Sequence, residues 1–119
     1  MAPRSCQWRQ PRSRAILGHQ SRSLLGGGQG VDDLVGGCQI YHHTQYRRLA
    51  VREAVEVATI FDCIYAIEDA GYMDAKDAAG MKARARELVE HARLVLVPSE
   101  YVAAEVVMTF GVAPARVLD

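Results

Sequence analysis

The residues with the clearest potential for chemistry lie at the ends of two segments that favour strands. Phe61 ends the segment at 55–61 and Asp62 follows it, and Ser99 comes after the apolar run at 94–97 and Pro98. In α/β sheets ligands bind beyond the carboxyl ends of the strands, so Asp62 is a candidate binding residue. Its structural alternative is a carboxylate that caps the loop after the strand. Ser99 is expected to cap a helix, where it could also hold a phosphate or a sugar hydroxyl.

A second group of candidates contains His42, His43, Tyr46, Arg47 and Arg48. Adjacent residues of a strand point to opposite faces, so the two histidines are not expected to bind one ion. No second cluster of cysteines or carboxylates in the sequence supplies further ligands, and we expect neither a metal site nor a cofactor. His43 is instead a candidate inward histidine that contacts a substrate. Tyr46 and the two arginines either contact a phosphorylated or sugar ligand or form a solvated loop.

A strand is predicted within or just before each of these groups. Residues 39–44 and 55–61 are rich in residues that favour strands. Residues 94–97 are four consecutive apolar residues before Pro98, a pattern typical of a parallel strand that is buried on both faces. The intervening residues 46–54 are either a loop or one irregular helix.

Two amphipathic helices are predicted between and after the last two strands. Asp74 or Asp77 can cap the first helix, while Ser99 can cap the second, which is expected to stop at Gly111. Their apolar faces are Ala78, Met81, Ala85, Leu88, Val89 and Ala92 in the first helix, and Val102, Ala103, Val106, Val107 and Phe110 in the second. The alternation of strands and helices predicts an α/β fold with a partial Rossmann-like parallel sheet and flanking helices.

Composition limits the other possibilities. A chain of 119 residues with 50% hydrophobic residues is one domain or less. The first 30 residues carry five arginines and no acid, which leaves 9 basic and 14 acidic residues in the remainder. The net negative charge of this remainder argues against nucleic-acid binding. No apolar run approaches the roughly 18 residues of a transmembrane segment. The three cysteines lack a C-x-x-C pair and favour a reducing compartment, so a cytoplasmic protein is expected.

Residues 1–37 are predicted to be disordered or a foreign leader, and residues 38–119 to form the folded part. Arginine, serine, glycine and proline dominate the first segment without a sustained apolar period. An organellar transit peptide and a misassigned start remain alternatives. The glycine-rich residues 26–30 match no phosphate-binding pattern and are interpreted as a linker.

Two motifs near the end of the chain resemble the segment that closes the N-terminal domain of GT-B glycosyltransferases of family 4. Val97-Pro98-Ser99-Glu100 is similar to the "V-S-E" or "P-S-E" turn of that family. Residues 111–117, GVAPARV, resemble its "G-V-P-x-x-R/K-V" motif with one residue shifted before the proline. The resemblance covers about residues 40–119.

Two motifs earlier in the chain extend the resemblance. His42 or His43 with Tyr46 and Leu49 resembles "H-x-x-x-Y-x-x-L-P", and residues 57–63, VATIFDC, resemble "V-V-T-[IV]-H-D-[LM]". Phe61 stands where most members of the family have a histidine. A phenylalanine can shape an acceptor pocket but cannot transfer a proton.

The resemblance implies an incomplete acceptor-side domain of a hexosyltransferase-like enzyme. The complete enzyme would transfer a sugar from a nucleotide-sugar donor to a sugar or lipid-linked acceptor. Its C-terminal domain, which holds the donor, is expected to be missing, so that the chain is inactive alone. The acceptor-side binding candidates are Asp62, Phe61, His43, Tyr46 and Ser99, and no residue is assigned as catalytic. The alternatives are a stand-alone α/β binding or interaction module without catalysis, and a nonfunctional truncated product.

Overall fold

The computed structural model describes residues 30–67 and 71–119. Its centre is one four-stranded sheet in the order β1-β2-β3-β4, in which each neighbouring pair is parallel. The strands are β1 (Ile40–His43), β2 (Val55–Thr59), β3 (Leu94–Leu96) and β4 (Val117–Leu118). The predicted α/β class with a parallel sheet is therefore confirmed.

Within the described residues, three α-helices and two 3-10 helices connect or precede the strands. The α-helices are α1 (Val31–Leu34), α2 (Ala75–His91) and α3 (Glu100–Phe110), and the 3-10 helices are Ile64–Ala66 and Pro114–Arg116. The connection between β1 and β2 is a loop, which settles the choice left open for residues 46–54. None of the helices in the described ranges is both long and apolar enough to cross a membrane.

The helix ends form at the residues that the sequence predicts. The Asp74 carboxylate accepts a hydrogen bond from the Asp77 backbone N–H at 2.8 Å, so Asp74 is the cap of α2. Ser99 Oγ accepts from the Val102 N–H at 3.3 Å at the start of α3. Gly111 ends α3 with φ 69°, a left-handed conformation that glycine adopts without strain.

The core lies between one face of the sheet and both long helices. Ala58 and Val95 are fully buried on that face, against Leu88 of α2 and Val106 of α3. Side chains alternate along strands, so Ile60 belongs to the same face and is also fully buried. The predicted apolar faces of the two helices thus point into a common core.

On the opposite face of the sheet, the expected burial of the third strand is wrong. The strand at 94–97 was expected to be buried on both faces, but only Val95 and Val97 are buried, and Leu94 and Leu96 are partly exposed. Neither α2 nor α3 packs on their side of the sheet. We name this side the open face; its apolar residues are Ile40, Val55, Val57, Leu94, Leu96 and Leu118.

An ordered turn lies inside the segment predicted to lack a fold. The buried Asp32 carboxylate of α1 accepts hydrogen bonds from the backbone N–H groups of Arg52, Glu53 and Ala54, at 2.9, 2.7 and 3.0 Å. A Cβ atom at Gly30 would lie 2.7 Å from the backbone nitrogen of Arg52, so this turn requires glycine. The sequence did not predict residues 30–37 as part of the fold. Residues 1–29, the rest of the predicted leader, lie outside the described residues.

Candidate functional site: the carboxyl edge of the sheet

The four parallel strands bring most of the candidate residues to one edge of the sheet. Tyr46 follows β1, Phe61 and Asp62 follow β2, and Ser99 follows β3. The Ile60 N–H still donates to the Leu96 carbonyl at 2.9 Å, so the chain leaves the sheet at Phe61. We name this side the carboxyl edge, the position at which α/β sheets bind ligands.

The Tyr46 hydroxyl holds the loop after β2. It accepts hydrogen bonds from the backbone N–H groups of Phe61 and Asp62, at 3.1 and 3.2 Å, and donates to the Asp62 carbonyl at 3.0 Å. The ring also makes an edge contact with Tyr65, with 5.6 Å between centroids. Burial raises the pKa of Tyr46, which keeps the phenol protonated and able to donate. Tyr46 therefore positions the loop, and its hydroxyl is occupied by the backbone.

Phe61 and Asp62 remain accessible on this loop. Phe61 is 54% exposed although it is a large apolar side chain. Asp62 is exposed, and its Oδ1 accepts from the Ile64 N–H at 3.2 Å, which is the capping role considered as the structural alternative. That bond uses one carboxylate oxygen and leaves the side chain in contact with solvent. An aromatic ring and a carboxylate on consecutive residues are thus both accessible to solvent.

Ser99 has a defined structural role at the same edge. Its hydroxyl oxygen accepts the capping bond from Val102, and a hydroxyl group can donate a hydrogen bond at the same time. The side chain is only partly buried. Ser99 can therefore cap α3 and still donate to a ligand at the carboxyl edge.

His43 is the last residue of β1, but its side chain is buried. Its side chain lies on the helix-covered face, 3% exposed, with Nε2 2.9 Å from Glu56 Oε2. Burial lowers the pKa of His43, and the Glu56 carboxylate opposes this change. The histidine is inward, as predicted, but in this structure it is paired with a carboxylate and closed to a substrate.

Glu56 and Arg48, both partly buried, complete a cluster with His43 that the sequence interpretation missed. Arg48 donates from Nε and Nη2 to the two Glu56 carboxylate oxygens at 2.8 and 2.6 Å. Burial raises the pKa of Glu56, but hydrogen bonds from Arg48 and His43 outweigh that effect and hold it below its ordinary value. Strand alternation could have indicated this cluster, because it places Glu56 on the same face of the sheet as the buried Ala58.

His42 lies on the opposite side of the sheet from His43. Its Nε2 is 2.7 Å from Thr59 Oγ1, and its side chain is exposed. This confirms that the two histidines face apart. Among the described residues no group of three or more histidine, cysteine, aspartate or glutamate side chains could hold a metal ion.

Arg116, in the motif at 111–117, supports the fold. Its Nη2 donates to the carbonyls of Val89, at 2.7 Å, and Ala92. These carbonyls lie at the end of α2, where a cation also interacts favourably with the helix dipole. The arginine therefore joins the end of one helix to the segment that leads into β4.

Comparison with known proteins adds nothing to these observations, because no family model, no curated protein and no solved structure matches the chain. The functional argument depends on the carboxyl edge itself. Of the five binding candidates, Phe61, Asp62, Tyr46 and Ser99 lie at that edge with partly or fully exposed side chains, and the side chain of His43 is buried.

Proposed function

We propose that this chain supplies the acceptor-binding half of a glycosyltransferase. The observation that carries the proposal is the exposed pair Phe61 and Asp62, held at the carboxyl edge by three hydrogen bonds to Tyr46. The family resemblance of the motifs around these residues supports the same function. Fixing the loop in advance lowers the entropy cost of binding a ligand there.

The two side chains suit a sugar acceptor. The Asp62 carboxylate can accept hydrogen bonds from sugar hydroxyls, and these are stronger than bonds between neutral groups. The Phe61 ring offers an apolar surface to the C–H groups of a sugar ring. Because Phe61 cannot accept a proton, its role is limited to shaping the acceptor site.

The nucleotide-sugar donor requires other groups. Its diphosphate needs cations or several aligned N–H donors around the developing negative charge. Asp62 and Glu100, both exposed at the carboxyl edge, would repel it. We therefore expect a further domain or a separate polypeptide to hold the donor, and this chain to transfer no sugar alone.

Saturation-transfer NMR with a panel of mono- and oligosaccharides tests this function. We expect weak binding of at least one saccharide, which Asp62→Asn and Phe61→Ala reduce. Asparagine can still accept from the Ile64 N–H, so Asp62→Asn removes the charge without removing the turn. Asp77→Asn, at an exposed aspartate of α2, is the matched control and should bind as the parent does.

Calorimetry with nucleotide sugars tests the assignment of the half-site. We expect no heat of binding from the chain alone. Micromolar donor affinity would mean that the chain is the donor-binding half. A saccharide signal that survives both Phe61→Ala and Asp62→Asn would place the acceptor site elsewhere.

An interaction module without catalysis is the second candidate, and the open face favours it. Ile40, Val55 and Leu118 on that face are 61%, 48% and 47% exposed. An apolar sheet surface of this kind can pack against another polypeptide. The saccharide panel separates the two functions, because an interaction module would give no signal that depends on Asp62.

A further inference from the structure

The cluster of His43, Glu56 and Arg48 holds the loop between β1 and β2. Arg48 lies in this loop, and its guanidinium donates to both carboxylate oxygens of Glu56 on β2, at 2.8 and 2.6 Å. Nε2 of His43, at the end of β1, lies 2.9 Å from Oε2, the oxygen that also accepts from Arg48 Nε. An ionised carboxylate can only accept, so the neutral histidine carries its proton on Nε2 and donates it. The histidine and the arginine therefore share one carboxylate.

The charges of this cluster balance while His43 is neutral. Glu56 then carries one negative charge and Arg48 one positive charge. The side chains of His43 and Glu56 are 2% and 10% exposed, so water screens an additional charge poorly. Protonation of His43 at Nδ1 would place two cations beside one carboxylate. Burial disfavours the charged imidazole and lowers the pKa of His43, although Glu56 acts in the opposite direction.

The other ionisable groups around His43 leave this excess charge in place. On β1, the Tyr41 ring lies 4.9 Å from the His43 ring between centroids, and burial raises the pKa of its phenol, which stays neutral. His42 lies on the opposite face of the sheet and would only add positive charge. On α2, Glu87 Oε1 is 4.0 Å from Arg48 Nη1, and its side chain is 54% exposed. Glu87 therefore offers Arg48 a second carboxylate that is in contact with water.

Arg48 is the member of the cluster that can move. Its side chain is 17% exposed and lies on a loop, whereas His43 and Glu56 are fixed by the pairing of β1 with β2. We propose that protonation of His43 releases Arg48 from Glu56, which makes the cluster an acid-sensitive latch on the β1–β2 loop. The imidazolium then keeps the buried carboxylate paired, and the guanidinium moves into water beside Glu87.

The latch acts on the carboxyl edge through Tyr46. This residue lies two positions before Arg48, and its hydroxyl accepts from the backbone N–H groups of Phe61 and Asp62. Release of Arg48 gives the loop more freedom, so the hydrogen bonds of Tyr46 break more often. Acid therefore loosens the segment that carries the exposed aromatic ring and carboxylate. The latch does not depend on the glycosyltransferase function.

NMR of the full chain between pH 8 and pH 5 tests the latch. The imidazole signal of His43, the Nε–H signal of Arg48 and the hydrogen-exchange protection factors of the Phe61 and Asp62 amides are followed together. The released state binds the proton more tightly, so its population should rise as the pH falls below about 6.5, by up to about tenfold for each pH unit. We expect the Arg48 signal to change with the midpoint of His43, and the protection of both amides to fall with it.

The Leu88 amide separates release of the loop from general unfolding. Leu88 is 1% exposed and lies within α2, so its N–H bonds inside the helix. Its protection factor should stay constant while those of the Phe61 and Asp62 amides fall. A parallel loss at all three amides would mean that acid unfolds the whole chain, and this result would overturn the latch.

His43→Gln and His42→Gln form a matched pair of variants. Glutamine at position 43 can donate to Glu56 but cannot be protonated, so the Arg48 signal should lose its pH dependence. His42→Gln should leave that dependence as it is in the parent. Release that persists in His43→Gln would overturn the proposal, as would a parent Arg48 signal or amide protection that does not follow the His43 midpoint. The parent titration decides by itself if His43→Gln does not fold.

Discussion

Asp32 is expected to stabilise the fold mainly through its negative charge. In Asp32→Asn one side-chain oxygen can still accept from the Glu53 and Ala54 N–H groups, as Oδ2 does in the parent. The amide nitrogen then replaces Oδ1 and meets the Arg52 N–H, so two donors face each other. Losing a bond to a charged acceptor and leaving a donor unsatisfied costs about 2–3 kcal/mol of unfolding free energy.

The pH dependence gives a second, independent value for the free energy that the Asp32 charge contributes to stability. Burial by itself raises the pKa of Asp32, but the backbone N–H groups of Arg52, Glu53 and Ala54 outweigh it and lower the pKa to about 2 from 3.8. A carboxylate with a lowered pKa stabilises the fold above its unfolded pKa. That contribution, about 2 kcal/mol, is lost as the pH falls from near 4 toward 2.

Urea unfolding followed by far-UV circular dichroism, from pH 7 to pH 2, measures both effects. The parent should exceed Asp32→Asn by about 2 kcal/mol at pH 7, and the difference should shrink toward zero near pH 2. Asp33→Asn is the control: Asp33 accepts one bond from the Gly30 N–H and lies 3.6 Å from Arg52, and it should cost under about 1 kcal/mol. Equal stability at pH 7, or a difference that persists at pH 2, would refute this account.

Four other substitutions test separate parts of the fold. Val106→Asp puts a charge into a fully buried position and should cost about 3 kcal/mol or more, while Met108→Asp, on the exposed side, should cost little. Ser99→Ala should lower the unfolding free energy by about 1 kcal/mol by removing the α3 cap. Arg116→Gln should cost about 1–2 kcal/mol by weakening the end of α2. Tyr46→Phe should speed hydrogen exchange at the backbone amides of Phe61 and Asp62, which donate to the Tyr46 hydroxyl. Unchanged exchange would show that this hydroxyl does not hold the loop.

Local chemistry explains why much of the fold could be predicted. The caps at Asp74, Ser99 and Gly111 act over three or four residues, so the sequence contains both partners of each interaction. The apolar periodicity of the two helices likewise depends only on the helical repeat. These signals predict the elements and their order, and therefore the α/β class.

Interactions between residues that are far apart in the sequence could not be predicted in this way. Asp32 binds N–H groups about twenty residues away, and nothing near it in the chain distinguishes it from any other helix-starting aspartate. Glu56 could not be assigned to a cluster from the sequence, because its partners His43 and Arg48 become its neighbours only when β1 pairs with β2. Tyr46 is predicted as an acceptor-side binding candidate, but its use of the backbone as a partner depends on the path of the loop after β2.

The sheet order β1-β2-β3-β4 has a consequence for how the chain folds. Every strand pairs with the strand that precedes it in the sequence, so no pairing must wait for a distant segment. The β1–β2 connection is a loop, and each of the two later connections contains one α-helix, so that the entropy cost of closure is paid one strand at a time. On a ribosome, β1 and β2 can pair as soon as they emerge, and each later helix and strand can add to an edge that already exists.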